Sequence, residues 1–396
     1  MITKGLLERI FEAASIQRWN DHARPVELVE IDKQAHKMII AYIIAKHEEI
    51  HDGASIDWLQ LIEGGIFEFL HRVVLTDIKP PVFHKMMAEK GNELNAYVCE
   101  RMGDDLREIR GEFFERFERY LFDTGYAYLE KRMLSAAHYL ATNWEFGLIY
   151  NLNRRIHGIE RTRAEIENQL EDYYDLIGVQ KISLRRKSFG FIDLCGQLRF
   201  QKRWSGTPRV PHTSVLGHML IVALLSLFCS FEVTACRKRL YNNFYAGLFH
   251  DLPEVLTRDI ISPVKKSVSG LEEIIKEYER KQVEEVLLPL LPGTVQREIM
   301  YFIADEFENK IVENGEELKG IPDEKMQLYN DDIYSALDGS IIRSCDELAA
   351  YIEAQLSIQY GVGTPSLLQA SHDIYTSFRN KKISGIDFGI LFDYFR

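Results

Sequence analysis

The pattern of apolar and polar residues predicts helices along nearly the whole chain. Apolar residues recur at the three- and four-residue spacing of helices packed on a core, whereas the strict alternation typical of strands is rare. The segment SVLGHMLIVALLSLF is apolar on all sides and predicts a mostly buried helix, and IIRSCDELAAYIEAQLSI predicts a second packed helix. The sequence therefore predicts an all-α protein.

Internal repetition divides the chain into two halves. Segment 5–19, GLLERIFEAASIQRW, resembles segment 190–204, GFIDLCGQLRFQKRW, at an offset of 185 residues. Three further pairs follow in the same order: His36 with His218 and 65–82 with 247–264 at an offset of 182, and 135–141 with 344–350 at an offset of 209. We interpret the repetition as a tandem duplication with its boundary near Gly178, which predicts related helical domains at 1–178 and 179–396.

Two charged stretches interrupt the apolar pattern. The stretch 161–176 has the mixed charges of an exposed helix between the halves. The stretch 305–332 holds ten acidic and three basic residues and has no counterpart in the first half. We expect an exposed insertion there, and a lid over a functional site is the alternative.

The second half concentrates the side chains that bind metals and move protons. His250 and Asp251 are adjacent, and Glu254 follows at helical spacing, so a continuous helix would place His250 and Glu254 on one face. His218 and Asp346 lie in apolar helices, where a polar side chain is costly to bury unless it is paired or bound to a metal. Imidazoles and carboxylates together suit a divalent ion.

The order of His218, the pair His250-Asp251, and Asp346 resembles the HD-domain superfamily of metal-dependent phosphohydrolases. The run EVLTRDIISPVKK and the pair Arg203-Trp204, which precedes the first His, are similar to the bacterial 5′-deoxynucleotidase branch of that superfamily. The resemblance covers roughly residues 190–359. One departure is Gly217, because the family usually has Glu directly before the first His.

This resemblance implies roles for the residues that match its motifs. His218, His250, Asp251 and Asp346 would hold one divalent metal ion, and Mn, Co, Fe, Mg and Zn all suit these ligands. The catalytic residues would be Asp251 and Glu254, of which Glu254 handles a proton; its alternative role is to support His250. The substrate-binding residues would be Arg203, Trp204, Asp259 and Lys265.

Some of these roles have structural alternatives. The first half keeps an Arg-Trp pair, Arg18-Trp19, and also keeps Asp77 at the position of Asp259, so both features could serve the fold. Lysines after a proline, such as Lys265, are also commonly just exposed. The first half carries Glu68, Phe69, Arg72 and Ala137 in place of His250, Asp251, Glu254 and Asp346, which predicts a domain without a metal site.

Composition narrows the class of protein. The 396 residues carry a formal net charge of −12, which disfavours broad binding to nucleic acid or to an anionic membrane surface. The five cysteines form no CxxC pair, as expected of reduced thiols in a cytoplasmic protein. The N-terminus lacks the apolar core of a signal peptide, and no run of eighteen apolar residues predicts a membrane span.

The sequence thus predicts a metal-dependent phosphomonoester hydrolase whose small-molecule substrates are (deoxy)nucleoside 5′-monophosphates. One alternative is a hydrolase of nucleoside triphosphates or signalling nucleotides, and another is a non-catalytic nucleotide-binding or sensing protein. We also expect the two halves to pack as an intrachain pseudo-dimer around a pseudo-two-fold axis. Assembly into a homo-oligomer is left open by the sequence.

Overall fold

The computed structural model describes residues 1–76, 78–258, 268 and 270–396. Within them the fold is all-α apart from two small antiparallel hairpins, which confirms the predicted fold class. The helices of the first half are α1 (Lys4–Glu12), α2 (Glu30–His51), α3 (Trp58–Leu75), α4 (Pro80–Arg107), α5 (Phe113–Phe122), α6 (Tyr128–Asn153), α7 (Ile159–Glu171) and α8 (Ile177–Ser183).

The second half has helices of similar length and adds the hairpins. Its helices are α9 (Lys187–Gln197), α10 (Val215–Glu232), α11 (Arg237–Phe249), α12 (Glu254–Thr257), α13 (Leu271–Gln282), α14 (Gly293–Ile303), α15 (Gly339–Gln359), α16 (Pro365–Phe378) and α17 (Phe388–Asp393). Its strands pair as β1 (Lys310–Glu313) with β2 (Glu316–Lys319) and β3 (Lys382–Ile383) with β4 (Ile386–Asp387).

Helix α10 lies at the centre of the molecule. Ser214 caps its start by accepting a hydrogen bond from the backbone N–H of Gly217 at 2.9 Å. Every residue from Val215 to Phe231 is buried, as expected of a helix that is apolar on all sides. The helix is long and apolar enough to cross a membrane, but 94% of it is buried within the protein, against α2, α11 and α15.

The two halves meet where α2 crosses α10. The Ser214 hydroxyl donates to Asp32 Oδ1 at 2.6 Å, and the Tyr42 hydroxyl donates to Glu298 Oε2 at 2.7 Å. The ring of Tyr42 also packs on that of Tyr245, with centroids 4.8 Å apart. The halves are thus joined through buried side chains. Their origin by duplication stays a prediction.

The acidic insertion 305–332 is folded. It contains the β1–β2 hairpin and a 3₁₀ segment, Asp323–Tyr329, and a small separate core of Ile311, Met326 and Ala336 lies beneath them. Strand β2 is fully exposed, as the sequence predicts for an insertion. Lys310 is buried beneath the hairpin, and its Nζ donates to the backbone carbonyl of Tyr301 at 2.7 Å.

Candidate metal centre and substrate pocket

Three of the predicted ligands come together from three helices. His218 lies on α10, His250 directly follows α11, and Asp346 lies on α15. One potential ligand atom from each lies within 4.8 Å of the others, and both imidazoles are buried. His218 Nε2 is 2.9 Å from Asp346 Oδ1. Residues separated by up to 128 positions in the chain therefore form one compact cluster.

The surroundings of His250 prepare it to bind a metal. Its Nδ1 donates to the backbone carbonyl of Gly247 at 2.8 Å, so Nε2 is the ring nitrogen that would bind a metal once its proton is lost. Nε2 is buried and has no hydrogen-bond partner among the residues that the structure describes. A buried ring nitrogen that faces carboxylates suits the coordination of a divalent ion. The residues present therefore fit a metal ion.

Asp251 lies at the edge of this cluster. Its Oδ2 is 3.2 Å from His250 Nε2 and 4.0 Å from His218 Nε2. Burial alone would raise the pKa of Asp251, but His250 beside it lowers that pKa below its usual range. In turn, burial would lower the pKa of His250, and Asp251 raises it to about 9. The ionised carboxylate of Asp251 therefore favours a cation on its side of the cluster.

The helical hydrogen-bond pattern changes after Phe249. Helix α11 ends there and α12 begins only at Glu254, and between them the N–H groups of Leu252 and Glu254 donate to carbonyls three residues earlier. Pro253 explains the break, since it has no N–H to donate and its ring would clash with the carbonyl of residue 249 in a helix. The turn still leaves Glu254 buried, and its backbone carbonyl accepts from Gln201 Nε2 at 3.0 Å.

Arg203 and Trp204 line the same site. The guanidinium of Arg203 lies 3.5 Å from Asp251 Oδ2 and 3.9 Å from Asp346 Oδ1, so it faces the carboxylates of the cluster. Trp204 Nε1 donates to Glu353 Oε2 at 2.8 Å. Arg203 Nε also approaches that carboxylate at 3.4 Å. Both side chains are therefore oriented by one acid that sequence reasoning missed.

Glu353 is fully buried and connects several parts of the site. It accepts from the Thr213 hydroxyl at 2.6 Å, and its Oε1 lies 3.7 Å from His218 Nδ1. Burial would raise its pKa, but Arg209 and Arg203 hold the pKa well below its usual range. The sequence did contain a signal, because Glu353 follows Asp346 by seven residues and so lies on the same face of α15, two turns later.

The start of the insertion lies beside the site. The ring of Phe307 lies 6.3 Å from that of His250, measured between centroids. Burial raises the pKa of the neighbouring Glu306, on which the charges of His250 and Asp251 also act. The start of the insertion therefore borders the cluster, while its hairpin projects outward. Two other predicted substrate-binding residues, Asp259 and Lys265, lie outside the described residues, as does Asp77.

The contacts around Trp204 are repeated around Trp19 in the first half. Trp19 Nε1 donates to Glu145 Oε2 at 3.0 Å, as Trp204 does to Glu353. Both tryptophans have positive φ, 53° and 59°. Isolated antiparallel bridges join 17 to 29 and 202 to 214, again at an offset of 185 residues.

These repeated contacts favour two residue pairings other than those made from the sequence. The offset of 185 pairs Lys33 with His218. His36 contacts the backbone carbonyl of Ile192 through Nε2 at 2.9 Å. The matching contacts of Glu145 and Glu353 likewise pair His138 with Asp346.

Comparison with known proteins agrees with this geometry. Residues 195–374 match the family model described as HD domain. The 4′-phosphooxetanocin A phosphatase of Priestia megaterium is 32% identical over 108 residues, which are 26% of this chain and 54% of that phosphatase. The chain thus spans about half the length of this curated relative. The segment 195–374 contains His218, His250, Asp251 and Asp346, so the part of the chain that holds the candidate metal cluster is similar to HD domains.

Proposed function

We propose that the second half hydrolyses the phosphomonoester of nucleoside 5′-monophosphates, with deoxynucleotides preferred. The observation that carries this proposal is the position of the Arg203 guanidinium, 3.5 to 3.9 Å from carboxylates of the candidate metal cluster. A phosphate held by Arg203 would lie beside the ion, since a guanidinium binds phosphate oxygens through paired N–H donors. The partial match to a phosphatase supports the same reaction class.

The chain's own residues have distinct tasks in this proposal. His218, His250, Asp251 and Asp346 hold a divalent ion. When bound, the ion polarises the phosphoryl group and lowers the pKa of a coordinated water. Arg203 binds the phosphate and offsets its charge.

Glu254 and Trp204 complete the proposed site. The buried Glu254, three residues after Asp251, orients the attacking water or delivers a proton to the leaving alkoxide. Trp204, fixed by Glu353, packs on the sugar and leaves little room for a 2′-hydroxyl. Proton transfer during hydrolysis and the preference for deoxyribose are thus assigned to different side chains.

A phosphate-release screen tests the proposal. The full chain is assayed with deoxy- and ribonucleoside monophosphates, triphosphates and cyclic nucleotides, each with Mn²⁺, Co²⁺, Mg²⁺ or Zn²⁺. We expect release from monophosphates and none from the His250→Ala protein. No release from any monophosphate with any metal would refute the reaction. Faster turnover of triphosphates or cyclic nucleotides would favour the alternative substrates, and binding without turnover would favour a nucleotide sensor.

Two variants test the pocket. Arg203→Ala should raise KM for monophosphates, because it removes a charge-assisted contact to the phosphate. Trp204→Ala should relax the discrimination between deoxyribose and ribose. If both variants keep the kinetics of the parent protein on both sugars, the Arg-Trp pair belongs to the fold.

A further inference from the structure

The first half contains a cluster of basic side chains at the place that corresponds to the metal centre. Burial lowers the pKa of His138 well below its usual value, and the charges of Lys33, Lys37, Arg18 and Arg72 lower it further. Four cations therefore lie within electrostatic reach of one imidazole. In the second half the equivalent position holds carboxylates as well as imidazoles, so the two places have opposite charge character.

The nearby carboxylates are engaged by other cations. Glu145 is paired with Arg18 Nε and with Arg199, each at 2.9 Å. Glu30 is paired with Arg18 at 2.9 Å and lies 3.8 Å from Arg72 Nε. Glu68 accepts from Lys37 at 2.8 Å and from the Tyr120 hydroxyl. These three acids are outnumbered by the arginines and lysines around them.

Lys33 differs from its neighbours. Its side chain is fully buried, and within the described part of the chain its Nζ contacts only the His138 ring. Burial and the charge of Arg18 lower its pKa well below the usual value. A lysine with so low a pKa is a neutral amine while the site is empty, and a bound anion would stabilise its charged form.

We propose that Lys33, His138, Arg18 and Arg72 form a second ligand site, which binds the phosphate group of a small molecule without hydrolysing it. The site is reachable, because His138 is half-buried and the side chains of Arg18 and Arg72 keep 12% and 18% of their surface exposed. Two guanidinium groups match the paired oxygens of a phosphate.

The same residues explain why this site would bind and not react. Lys33 and His138 replace His218 and Asp346, and Phe69 follows Glu68 as Asp251 follows His250. An ammonium repels a divalent ion, and Phe69 has no ligand atom. Arg72 replaces Glu254, which removes the proposed proton-transfer group.

Calorimetric titration of the full chain tests this site separately from hydrolysis. Inorganic phosphate and, separately, dAMP are titrated in EDTA into the protein that carries both Asp251→Ala and Arg203→Ala, in which turnover is blocked and the phosphate contact proposed for the second half is removed. Addition of Lys33→Met or Arg72→Gln to this background should weaken phosphate binding at least about tenfold, the usual effect of losing one charged hydrogen bond.

The two ligands distinguish the source of the phosphate group. Tighter binding of dAMP than of phosphate identifies a nucleotide site, and equal binding identifies a site for free phosphate. Unchanged affinity in both first-half variants, or no phosphate binding by the background protein without Arg203, would overturn the proposal. Arg72 is partly exposed, so Arg72→Gln remains informative if Lys33→Met does not fold. Failure of the phosphatase screen would not affect either result.

Discussion

Gly217 provides the space that Asp32 occupies between the two halves. A Cβ at position 217 would lie 2.7 Å from Asp32 Oδ1 and 2.9 Å from a methyl group of Ile31. The departure from the usual Glu before the first His thus has a steric cause, because a side chain of the other half fills that volume. The residue next to a candidate ligand is set by the packing of the halves.

Enlarging this residue should separate the halves. Gly217→Leu should lower the free energy of unfolding by about 3 kcal/mol or more, since it forces extra atoms into a filled contact. The measurement is urea unfolding. Gly147→Leu is the matched control, because Gly147 is also helical, on α6, but a Cβ there would meet nothing within 4 Å. Equal stability of the two variants would show that the Asp32 contact tolerates displacement.

Metal content tests the cluster directly. His250→Ala and Asp346→Ala should each reduce bound divalent metal to well below one equivalent, since each removes a first ligand from the proposed set. Elemental analysis of the purified proteins measures this. His84→Ala, a change at an exposed histidine of α4, serves as the control and should keep its metal. Full metal content in both site variants would show that His250 and Asp346 are not metal ligands.

Glu254 is expected to act on the proton and not on the metal. Glu254→Gln should keep the metal and the fold but lower kcat by about 10²–10⁴, the usual contribution of an acid–base group. Elemental analysis and the phosphate-release assay together separate the two effects. Retained activity would assign Glu254 a supporting role beside His250, and loss of metal would place it among the ligands.

Asp32 makes stability depend on pH. Burial raises its pKa to about 6 despite the hydrogen bond from Ser214. The folded protein therefore holds this proton more tightly than the unfolded chain, and the stabilisation is lost as pH rises through about 6. Asp32→Asn should be more stable than the parent by about 1–3 kcal/mol at pH 8.

The same comparison at lower pH provides the check on sign. Below about pH 4 the carboxyl is protonated in both states, so the advantage of Asp32→Asn should vanish. Urea unfolding of both proteins at pH 4, 6 and 8 measures the difference. An advantage that is constant with pH would mean that Asp32 is not the group that titrates.

The all-α fold and the cluster of His218, His250 and Asp346 could be predicted because both depend on local pattern and on a spaced motif. Sequence did not predict the end of α11 at Phe249, although Pro253 carried that information. It also missed Glu353, whose importance comes from contacts with residues about 140 to 150 positions earlier, Trp204 and Thr213. Helical spacing from Asp346 could have identified it.

The residue pairing between the halves depends on more than sequence similarity. Matching His36 to His218 favours identical residues, whereas the contacts around Trp19 and Trp204 favour Lys33 at that position. Lys33 and His138 are chemically unlike His218 and Asp346, so a similarity score would not pair them. Only the contacts of Trp19 and Trp204, which can be compared in three dimensions, restore the register.

Helix α10 carries His218 and is at the same time the surface on which α2 packs. We therefore expect folding of α10, docking of the halves and formation of the metal centre to be coupled. A protease cut or a destabilising substitution in the first half, distant from any ligand, should then reduce the proposed activity indirectly. The first half would then act as a permanent intramolecular chaperone for the second half.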